Sequence, residues 1–338
     1  AKRLDAEYYQ PEYLNLNQKL KKYPDLVSLQ ELTEIKTGPA YASEEIGENF
    51  EIPIARIGDV TGKIDVDEWG RLSLREFKKF KSKKIIGGDI LMTMTGDPPD
   101  VGKVFFIDNK NNKALAFNQR VAKLSIKSKK IENKFLFAYL NTEFSRFQAE
   151  RSALGIRQRN LGIEDLKNIL VIVPSRNDSA AISRIIEDSL RKLENSKLLY
   201  RQAENLLLEE LKIDSVGESD KIGFVVKLSE IKENNRCDAE YFQPKYEKIV
   251  KHIKKNCGGV ALGELVVIKK GIEPGAEEYL APFDAEAVGD EKGKQFIRVS
   301  SLSKFGVNDN DQKYLSEELY QKLKADFEPK KGEILLTK

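Results

Sequence analysis

The longest regular pattern of hydrophobic positions lies near the middle of the chain, in residues 178–213. Ile186, Leu193, Tyr200 and Leu207 recur every seven residues, and the stretch contains no Gly or Pro. Ser175, Asn177 and Asp178, just after Pro174, are candidate N-cap residues. The neighbouring column consists mostly of small side chains: Ile182, Ser189, Ser196 and Ala203. The pattern predicts a helix of roughly 50 Å that packs closely against another helix in coiled-coil fashion.

The residues that we expect in this helix contact are Ile182, Ile186, Leu193, Tyr200, Ala203 and Leu207. A long helix buried within one domain fits the same pattern and is the alternative.

Shorter patterns precede this helix and predict a mixed α/β domain. Alternating or apolar runs predict strands at residues 27–35, 51–60, 89–94, 101–107, 115–126 and 169–173, with 115–126 broken at 118–120. Helices are predicted at residues 11–20, 73–84 and 133–149, the second of them strongly basic. Residues 38–39 and 96–100 are rich in Gly, Pro and Asp and predict loops.

Similar sequence lies on both sides of the long helix. DAEYYQP at residues 5–11 returns as DAEYFQP at 238–244, and VSLQELTEIKTG at 27–38 returns as VALGELVVIKKG at 260–271, both at an offset of 233 residues. IARI at 54–57 then matches FIRV at 296–299, and GDIL at 88–91 matches GEIL at 332–335. This order of matches predicts a tandem duplication in which the long helix closes the first unit.

The duplicated organisation and its motifs resemble the DNA specificity (S) subunit of type I restriction–modification systems. Besides the DAEYYQP opening, the matching features are GDILMTMTGD at residues 88–97 and SALGIRQRNLGIEDLKNILVIVP at 152–174, which leads into the helix. The resemblance extends over essentially the whole chain. It implies two mixed α/β target-recognition domains in tandem, separated by a long coiled-coil-type helix.

The resemblance and the repeat together give the expected domain ranges. They are a first target-recognition domain at residues 1–175, a spacer helix at 176–214 and a second, incomplete recognition domain at 215–338. Residues 214–223 are polar and contain Gly, which predicts a linker. At the same offset a full second unit would reach about residue 446, so we expect this chain to be a fragment.

Composition agrees with a soluble, two-domain protein. The 338 residues are 40% hydrophobic and 33% charged, and the longest notable apolar run, residues 169–173, is far too short to span a membrane. Two cysteines, Cys237 and Cys257, do not make a disulfide framework, so we expect a reducing, cytoplasmic location.

Charge is distributed unevenly along the chain. The net charge is only +3, but residues 75–159 hold 19 Lys and Arg residues against 8 Asp and Glu residues. A local surplus of 11 positive charges favours binding to phosphates, although a solvated Lys-rich face has the same composition.

Most side chains that can read or hold DNA lie in or beside loops of this basic region, and Arg56 precedes it. Arg can bind guanine and Asn or Gln can bind adenine through two hydrogen bonds, whereas Thr and Lys can hold phosphates. The predicted DNA-binding residues are Arg56, Thr93, Thr95, Lys103, Asn118, Gln119, Arg120, Arg157, Gln158, Arg159 and Asn160.

The sequence contains no complete catalytic motif. In DPPD at residues 97–100, Asp100 stands where amino-methyltransferases place an aromatic residue, and no Gly-rich cofactor loop follows a strand. The Gly96–Lys103 segment resembles a phosphate loop but has five residues between its glycines instead of four. A nuclease-like pattern at residues 99–100 and 108–110 is better interpreted as a hairpin loop. His252 is the only histidine, and no zinc-ligand cluster exists.

The sequence therefore predicts a non-catalytic subunit without a cofactor or metal of its own. The resemblance implies that each recognition domain reads one half of a bipartite target in double-stranded DNA and that the helices dock modification (methyltransferase) subunits. S-adenosylmethionine would then bind to those subunits, and ATP and magnesium to a restriction motor subunit. The alternatives are a target-recognition fragment of a single-chain restriction–methylation enzyme and a coiled-coil scaffold without DNA specificity, against which the duplication argues. No residue-to-base code links these loops to a target sequence.

Overall fold

The computed structural model describes residues 6–63, 65–80, 84–96, 100–155, 158–212, 223–256, 258–275, 278–280, 293–303, 306–307 and 313–337. The chain divides into two compact units, Ala1–Leu206 and Leu207–Lys338. Most of the long helix falls in the first unit, and the predicted linker lies almost wholly outside the described residues. The predicted domain ranges, which were drawn from the repeat, stay predictions.

The first unit is a mixed α/β structure, as predicted. Its helices are α1 (Pro11–Leu20), α2 (Leu29–Leu32), α3 (Ile57–Gly62), α4 (Leu74–Lys79), α5 (Asn133–Leu140), α6 (Glu143–Ser152), α7 (Ile163–Lys167) and α8 (Arg176–Leu211). Its strands are β1 (Leu26–Ser28), β2 (Thr33–Thr37), β3 (Ile46–Gly47), β4 (Ile52–Ala55), β5 (Arg71–Leu72), β6 (Ile90–Thr93), β7 (Thr95–Gly96), β8 (Val104–Phe106), β9 (Ala116–Phe117), β10 (Val121–Ile126), β11 (Arg159–Asn160) and β12 (Leu170–Ile172).

A four-stranded antiparallel sheet, in the order β2-β10-β6-β8, separates two hydrophobic cores. Along β6, Ile90 and Met92 enter one core while Leu91 enters the other, because successive side chains of a strand point to opposite faces. Burial on both faces explains why this strand reads as a continuous apolar run. A second four-stranded sheet, β3-β5-β4-β9, lies beside it and includes one parallel pair, β4 with β9.

Three predicted elements are divided or shortened by local capping. Residues 27–35 are not one strand, because the Glu31 carboxylate accepts hydrogen bonds from the Ser28 amide (3.0 Å) and hydroxyl (2.7 Å) and starts α2. Residues 51–60 end as a strand at Ala55, after which α3 begins. The predicted helix at 133–149 is α5 and α6, separated where the Asn141 and Thr142 side chains donate to carbonyl groups of α5.

The other predicted elements are confirmed, with changes at their ends. The basic helix is shorter than residues 73–84: it is α4, which begins after Ser73 and ends at Lys79. Strands β6 and β8 form the predicted antiparallel hairpin, and β9 and β10 flank the predicted break at residues 118–120. The apolar run at 169–173 contains β12, which pairs with β1.

The long helix α8 is present, with 36 residues. Ser175 caps it: the Asp178 amide donates to the Ser175 hydroxyl (3.2 Å), which itself donates to the Asp178 carboxylate (2.7 Å). Ser179 and Ser183 are buried near its start, and Ile182 and Leu190 pack against the core of the first unit. Beyond them the helix is largely exposed, so the alternative of a helix buried within a domain is wrong.

The described elements of the second unit are four helices and four short strands. The helices are α9 (Leu228–Asn234), α10 (Pro244–Asn256), α11 (Leu262–Leu265) and α12 (Glu317–Phe327). The strands are β13 (Lys294–Phe296), β14 (Leu302–Ser303), β15 (Gly306–Val307) and β16 (Lys313–Leu315), paired as β13 with β16 and β14 with β15.

The duplication extends from sequence to local structure. In the first unit β5 leads into α4 through Ser73, whose hydroxyl accepts from the amide three residues ahead at 3.2 Å. In the second unit β16 leads into α12 through Ser316, whose hydroxyl makes the same contact at 3.2 Å. Gly88 and Gly332 both adopt positive φ, +89° and +97°, in matching turns. The Ile86 amide donates to Asp89 and the Lys330 amide donates to Glu333, both at 2.8 Å.

The two units differ in how far these repeated segments are buried. Ile90 and Leu91 of β6 are completely buried, whereas their counterparts Ile334 and Leu335 are 90% and 42% exposed. In the described part of the second unit, residues 334–337 pair with no strand.

Among the described residues, none of the helices combines the length and the apolar composition that a membrane-spanning helix needs.

Candidate nucleic-acid interface

Four of the predicted DNA-binding residues line one shallow cleft of about 380 Å³ in the first unit. They are Arg56, Asn118, Gln119 and Arg120. Arg56 lies more than 60 positions before the other three, which are consecutive. The parallel pairing of β4 with β9 brings them together, because Arg56 follows β4 and Asn118 follows β9. The remaining lining residues are Tyr41, Ile46, Ile57, Gly58 and Asp59.

A tight turn presents Gln119 and Arg120 to solvent. The Asn118 side chain accepts a hydrogen bond from the Arg120 amide at 3.1 Å, and the Val121 amide donates to the Asn118 carbonyl at 3.1 Å. Gly38 packs against the start of this turn, where an added Cβ would lie 2.1 Å from the Phe117 carbonyl oxygen. Asn118 therefore shapes the turn, whereas Gln119 and Arg120 are exposed and can reach a ligand.

Arg56 is fixed at the mouth of the cleft by two neighbours. Its Nε donates to the buried Asp59 carboxylate at 2.9 Å, and its backbone amide donates to the same oxygen at 3.0 Å. A Cβ added to Gly70 would lie 2.6 Å from an Nη nitrogen of Arg56, so the absence of a side chain at Gly70 makes room for the guanidinium. The Arg56 side chain remains 45% exposed.

Tyr41 supplies an aromatic wall. Its ring packs edge-to-face against Phe80, with 5.7 Å between ring centroids. Burial, with a contribution from Glu76, raises the pKa of the Tyr41 hydroxyl to about 12. This hydroxyl therefore stays protonated and can donate a hydrogen bond at neutral pH.

Met94 connects the cleft with a second loop. Its amide donates to the Arg120 carbonyl at 2.9 Å, and its carbonyl accepts from the Leu161 amide at 2.7 Å. Strand β7, just after Met94, pairs with β11 so that Thr95 lies opposite Asn160. The turn at 118–120 and the loop before Leu161 therefore flank the same strand end.

The predicted phosphate-holding residues prove to be mainly structural. Thr93 is completely buried, and its hydroxyl donates to the carbonyls of Asp100 and Lys103, which closes the hairpin. Thr95 is also buried, and its hydroxyl donates to the Asn160 side chain at 2.9 Å. The Lys103 ammonium is paired with Asp100 at 2.9 Å and is about one-third exposed. Of these, Lys103 is the residue that a ligand could contact without disrupting the hairpin.

In the described part of the predicted Arg157–Asn160 cluster, the three side chains do not share one environment. Arg157 lies outside the described residues, and Gln158 and Asn160 are exposed. The Arg159 side chain is half-buried and interacts with the Tyr13 hydroxyl and the Glu150 carboxylate. Arg159 therefore packs the loop onto α1 and α6. Gln158 faces outward, and Asn160 is exposed with its Oδ1 bound by the Thr95 hydroxyl.

The basic surplus does not form a single patch at the cleft. Lys127, Lys129 and Lys130 are exposed, but they follow the far end of β10, about 20 Å from the turn at 118–120. Lys123 is buried, with its ammonium 2.8 Å from the Lys84 carbonyl oxygen and 3.4 Å from the Asp89 carboxylate. The charge count of the sequence thus overstates the charge available to one ligand.

Sequence reasoning missed Tyr41, Asp59 and Gly70, which complete the cleft. Asp59 had a partial signal: it lies three positions after Arg56, which is the spacing of a capping box, but Arg56 is not a typical N-cap residue. Tyr41 and Gly70 had none, because both reach the cleft only through the folding of the second sheet. Among the described residues, no group of His, Cys, Asp and Glu side chains could hold a metal ion.

The predicted helix-packing residues of α8 are arranged unequally. Ile182 contacts the core of the first unit, whereas Leu193, Tyr200 and Leu207 are exposed by 37%, 38% and 59%. Two cations on the helix, Lys197 and Arg201, each lie 3.4 Å from the Asp65 carboxylate of the first unit. One face of the helix is therefore held to the domain, while Leu193 and Leu207 remain exposed.

Comparison with known proteins gives consistent matches. The profile described as "Type I restriction modification DNA specificity domain" matches residues 25–204. The chain is 27% identical over 154 residues to the specificity subunit of the type I restriction enzyme EcoBI from Escherichia coli, which covers 44% of this chain and 31% of that protein. It is 25% identical over 195 residues to the MjaVIII specificity subunit of Methanocaldococcus jannaschii, which covers 54% of this chain and 45% of that protein.

A solved structure gives a similar match at lower identity. The S subunit of a type I restriction–modification system from M. genitalium is 18% identical, with a TM-score of 0.43 over 84% of this chain and 61% of that chain. The matched stretch thus spans less than half of each curated relative.

Proposed function

The chain belongs to the family of type I restriction–modification DNA specificity domains, and from that premise we propose that it recognises double-stranded DNA by sequence. The observation that carries the proposal is the convergence of Arg56, Gln119 and Arg120 on one cleft. Gln158 and Asn160 extend this surface on the other side of Met94. We call the surface formed by these five exposed residues the reading face.

The reading face has the chemistry that the major groove requires. Arg donates two hydrogen bonds to guanine, and Gln or Asn can both donate to and accept from adenine. Several such side chains on short, well-anchored turns can contact consecutive base pairs. Lys103, at the edge of the hairpin, is placed to contact a phosphate, which would position the protein without discriminating sequence.

The duplication supports the proposal of a bipartite target. The second unit repeats the strand, the serine-capped helix and the positive-φ glycine turn of the first. Each unit would therefore present its own loops on the same local framework. We propose that each unit reads one half of the target, as expected from the resemblance.

The exposed side of α8 is proposed to bind other subunits. Leu193 and Leu207 leave apolar surface uncovered, and Ile185, Leu198 and Leu199 are exposed on the same helix. Modification (methyltransferase) subunits would supply S-adenosylmethionine chemistry, and a restriction motor subunit would supply ATP hydrolysis with magnesium. This chain would contribute recognition and assembly and no catalytic step.

The proposal is tested by mapping methylated bases in the native host with and without this gene, and then measuring duplex binding by the chain and its complex. We expect a gene-dependent bipartite motif and an affinity that falls steeply as salt rises. Gln119→Ala or Arg120→Ala should weaken binding to the motif about tenfold or more, since each removes a potential base contact.

The matched control is Lys129→Ala with Lys130→Ala, which removes two exposed charges at the far end of β10. This pair should reduce binding to all duplexes alike, and less than the Gln119 or Arg120 change reduces binding to the motif. Loss of the gene with no change in the methylated motifs, or absence of duplex binding at low salt, would contradict the proposed function.

A further inference from the structure

We propose that Arg56 is a specificity-determining residue that reads a guanine in the half-site of the first unit, with Asp59 as its positioning residue. This inference rests on the proposed function and adds to it a base and a residue pair. Three features of Arg56 carry it: the fixed guanidinium, the charge of its partner, and the equivalent arginine of the second unit.

The Arg56 guanidinium is held before any ligand arrives. Asp59 binds Nε, and the open space over Gly70 receives one Nη group. Because Nε is hydrogen-bonded to Asp59, the edge of the guanidinium that carries the two Nη groups is the part that can bind a ligand. This edge matches the two acceptors, O6 and N7, that guanine presents in the major groove. Because the side chain is already ordered, little conformational entropy is lost on binding.

The partner of Arg56 favours a base over a phosphate. The buried Asp59 carboxylate places a negative charge 2.9 Å from the guanidinium and so offsets its long-range attraction for phosphate anions. The hydrogen-bond donors on the Nη groups are not consumed by that pairing. An arginine whose charge is offset but whose donors are directed is suited to a neutral acceptor pair such as guanine O6 and N7.

The second unit contains the same position with a different partner. Arg298 follows β13 as Arg56 follows β4, and the backbone angles agree, with φ and ψ of −106° and 169° against −114° and 176°. Ser301 takes the place of Asp59: its hydroxyl accepts from the Arg298 amide at 3.3 Å. Serine retains the cap but carries no carboxylate. The repeat therefore keeps an arginine at this place and replaces the carboxylate that binds the arginine Nε in the first unit, as expected where two units read different half-sites.

This comparison supplies a substitution that separates orientation from folding. Asp59→Ser reproduces the residue of the second unit, so it should keep the backbone cap and lose the Nε contact. Arg56→Lys keeps the positive charge and removes the two-pronged donor. Each is introduced into the gene in its native host, alongside Arg298→Lys as the matched control, and methylated bases are mapped genome-wide.

We expect Arg56→Lys to relax one guanine position of the first half-site, with about 10- to 100-fold lower discrimination against other bases. Asp59→Ser should reduce discrimination at the same position to a smaller extent. Asp59→Asn, which retains an oxygen acceptor for Nε, should keep more of this discrimination than Asp59→Ser does. Arg298→Lys should leave the first half-site unchanged. Relaxation confined to that one guanine is a result that a loss of stability would not produce.

The inference is overturned if Arg56→Lys and Asp59→Ser preserve the motif and change only the fraction of sites modified, because Arg56 would then contact phosphate. It is also overturned if the relaxed position is not a guanine. A wild-type host in which no bipartite motif depends on this gene would instead contradict the proposed function itself, so the two failures are distinguishable.

Discussion

At the scale of single residues, the sequence predicted which polar side chains could contact a ligand but not which of them face solvent. Gln119 and Arg120 are exposed where the sequence places them, because Asn118 closes the turn through a local hydrogen bond. Thr93 and Arg159 have the same polar character, yet both face inward and bind protein groups. Exposure of a polar residue depends on strand register and on distant neighbours, neither of which appears in the local sequence.

Glu150 provides a pH-dependent test of the contacts that hold Arg159. Burial raises the pKa of the Glu150 carboxyl above its ordinary value of 4.5, and Arg146 and Arg159 offset this only partly. A carboxyl with a raised pKa in the folded state gives stability that is present at low pH and lost as pH rises through that pKa. Between about pH 4 and pH 7, the stability of Glu150→Gln should therefore increase relative to wild type.

The measurement is thermal or urea unfolding at several pH values across that range. The control is Glu143→Gln, which changes an exposed carboxylate in the first turn of the same helix. A pH trend of equal size in both variants, or no trend in Glu150→Gln, would argue against burial as the cause.

At the scale of elements, the sequence predicted which segments are helical or extended, and capping decided where they end. The seven-residue pattern of α8 was long enough to predict the helix, and Ser175 is its cap. Residues 27–35 alternate like a strand, but Ser28 and Glu31 form a capping box that turns the chain from β1 to β2. The signal for that turn was present in the sequence as a serine followed three positions later by a glutamate.

The contact of α8 with Asp65 should control how firmly the middle of the helix lies on the first unit. Burial raises the pKa of Asp65, but the hydrogen bond from the Asp67 amide and the charge of Lys197 lower it by more. The pKa of Asp65 therefore lies below its usual value. This stabilisation is therefore present at neutral pH and is lost as pH falls through the folded-state pKa. At neutral pH, Asp65→Asn should reduce stability by at most about 1 kcal/mol, because the ion pairs are partly exposed.

Hydrogen exchange measured by mass spectrometry gives the local readout. Peptides around Lys197 and Arg201 should exchange faster in Asp65→Asn than in wild type. Asp188→Asn serves as the control, since Asp188 pairs with Arg191 on the same helix and not with the domain. Unchanged exchange in Asp65→Asn would show that apolar packing through Ile182 and Leu190 is sufficient.

At the scale of the whole molecule, the duplication was the most informative property of the sequence. The offset matches at DAEY and VSLQEL predicted two similar units, and the repeated serine caps and glycine turns agree with that prediction. The cleft could not be predicted in the same way. It forms where β4 and β9 pair across about 60 residues of chain, and such long-range pairing has no local signature.

The long helix allows a test of how target spacing is set. Four residues inserted after Asn205, beyond the contacts of Lys197 and Arg201, would lengthen α8 by about 6 Å and rotate the chain beyond the insertion by about 40°. Two base pairs lengthen DNA by about 7 Å and rotate it by about 70°, so a gap about two base pairs longer is expected between the half-sites. Methylation mapping measures the gap, and a two-residue insertion, which rotates the chain beyond it by about 200°, should abolish recognition of the bipartite motif. An unchanged gap in an assembled four-residue variant would make the helix a docking surface only.

The exposed apolar segments of the second unit bear on how this polypeptide behaves in solution. Ile334 and Leu336 are 90% and 85% exposed, although their counterparts Ile90 and Met92 are buried in the first unit. Val267 is 97% exposed and stands where the first unit has the exposed Glu34. Exposed extended segments with apolar, uncharged side chains can pair with extended segments of other molecules, which promotes aggregation. We therefore expect this polypeptide, expressed by itself, to precipitate or be degraded unless a chaperone or a physiological partner shields residues 266–268 and 334–336.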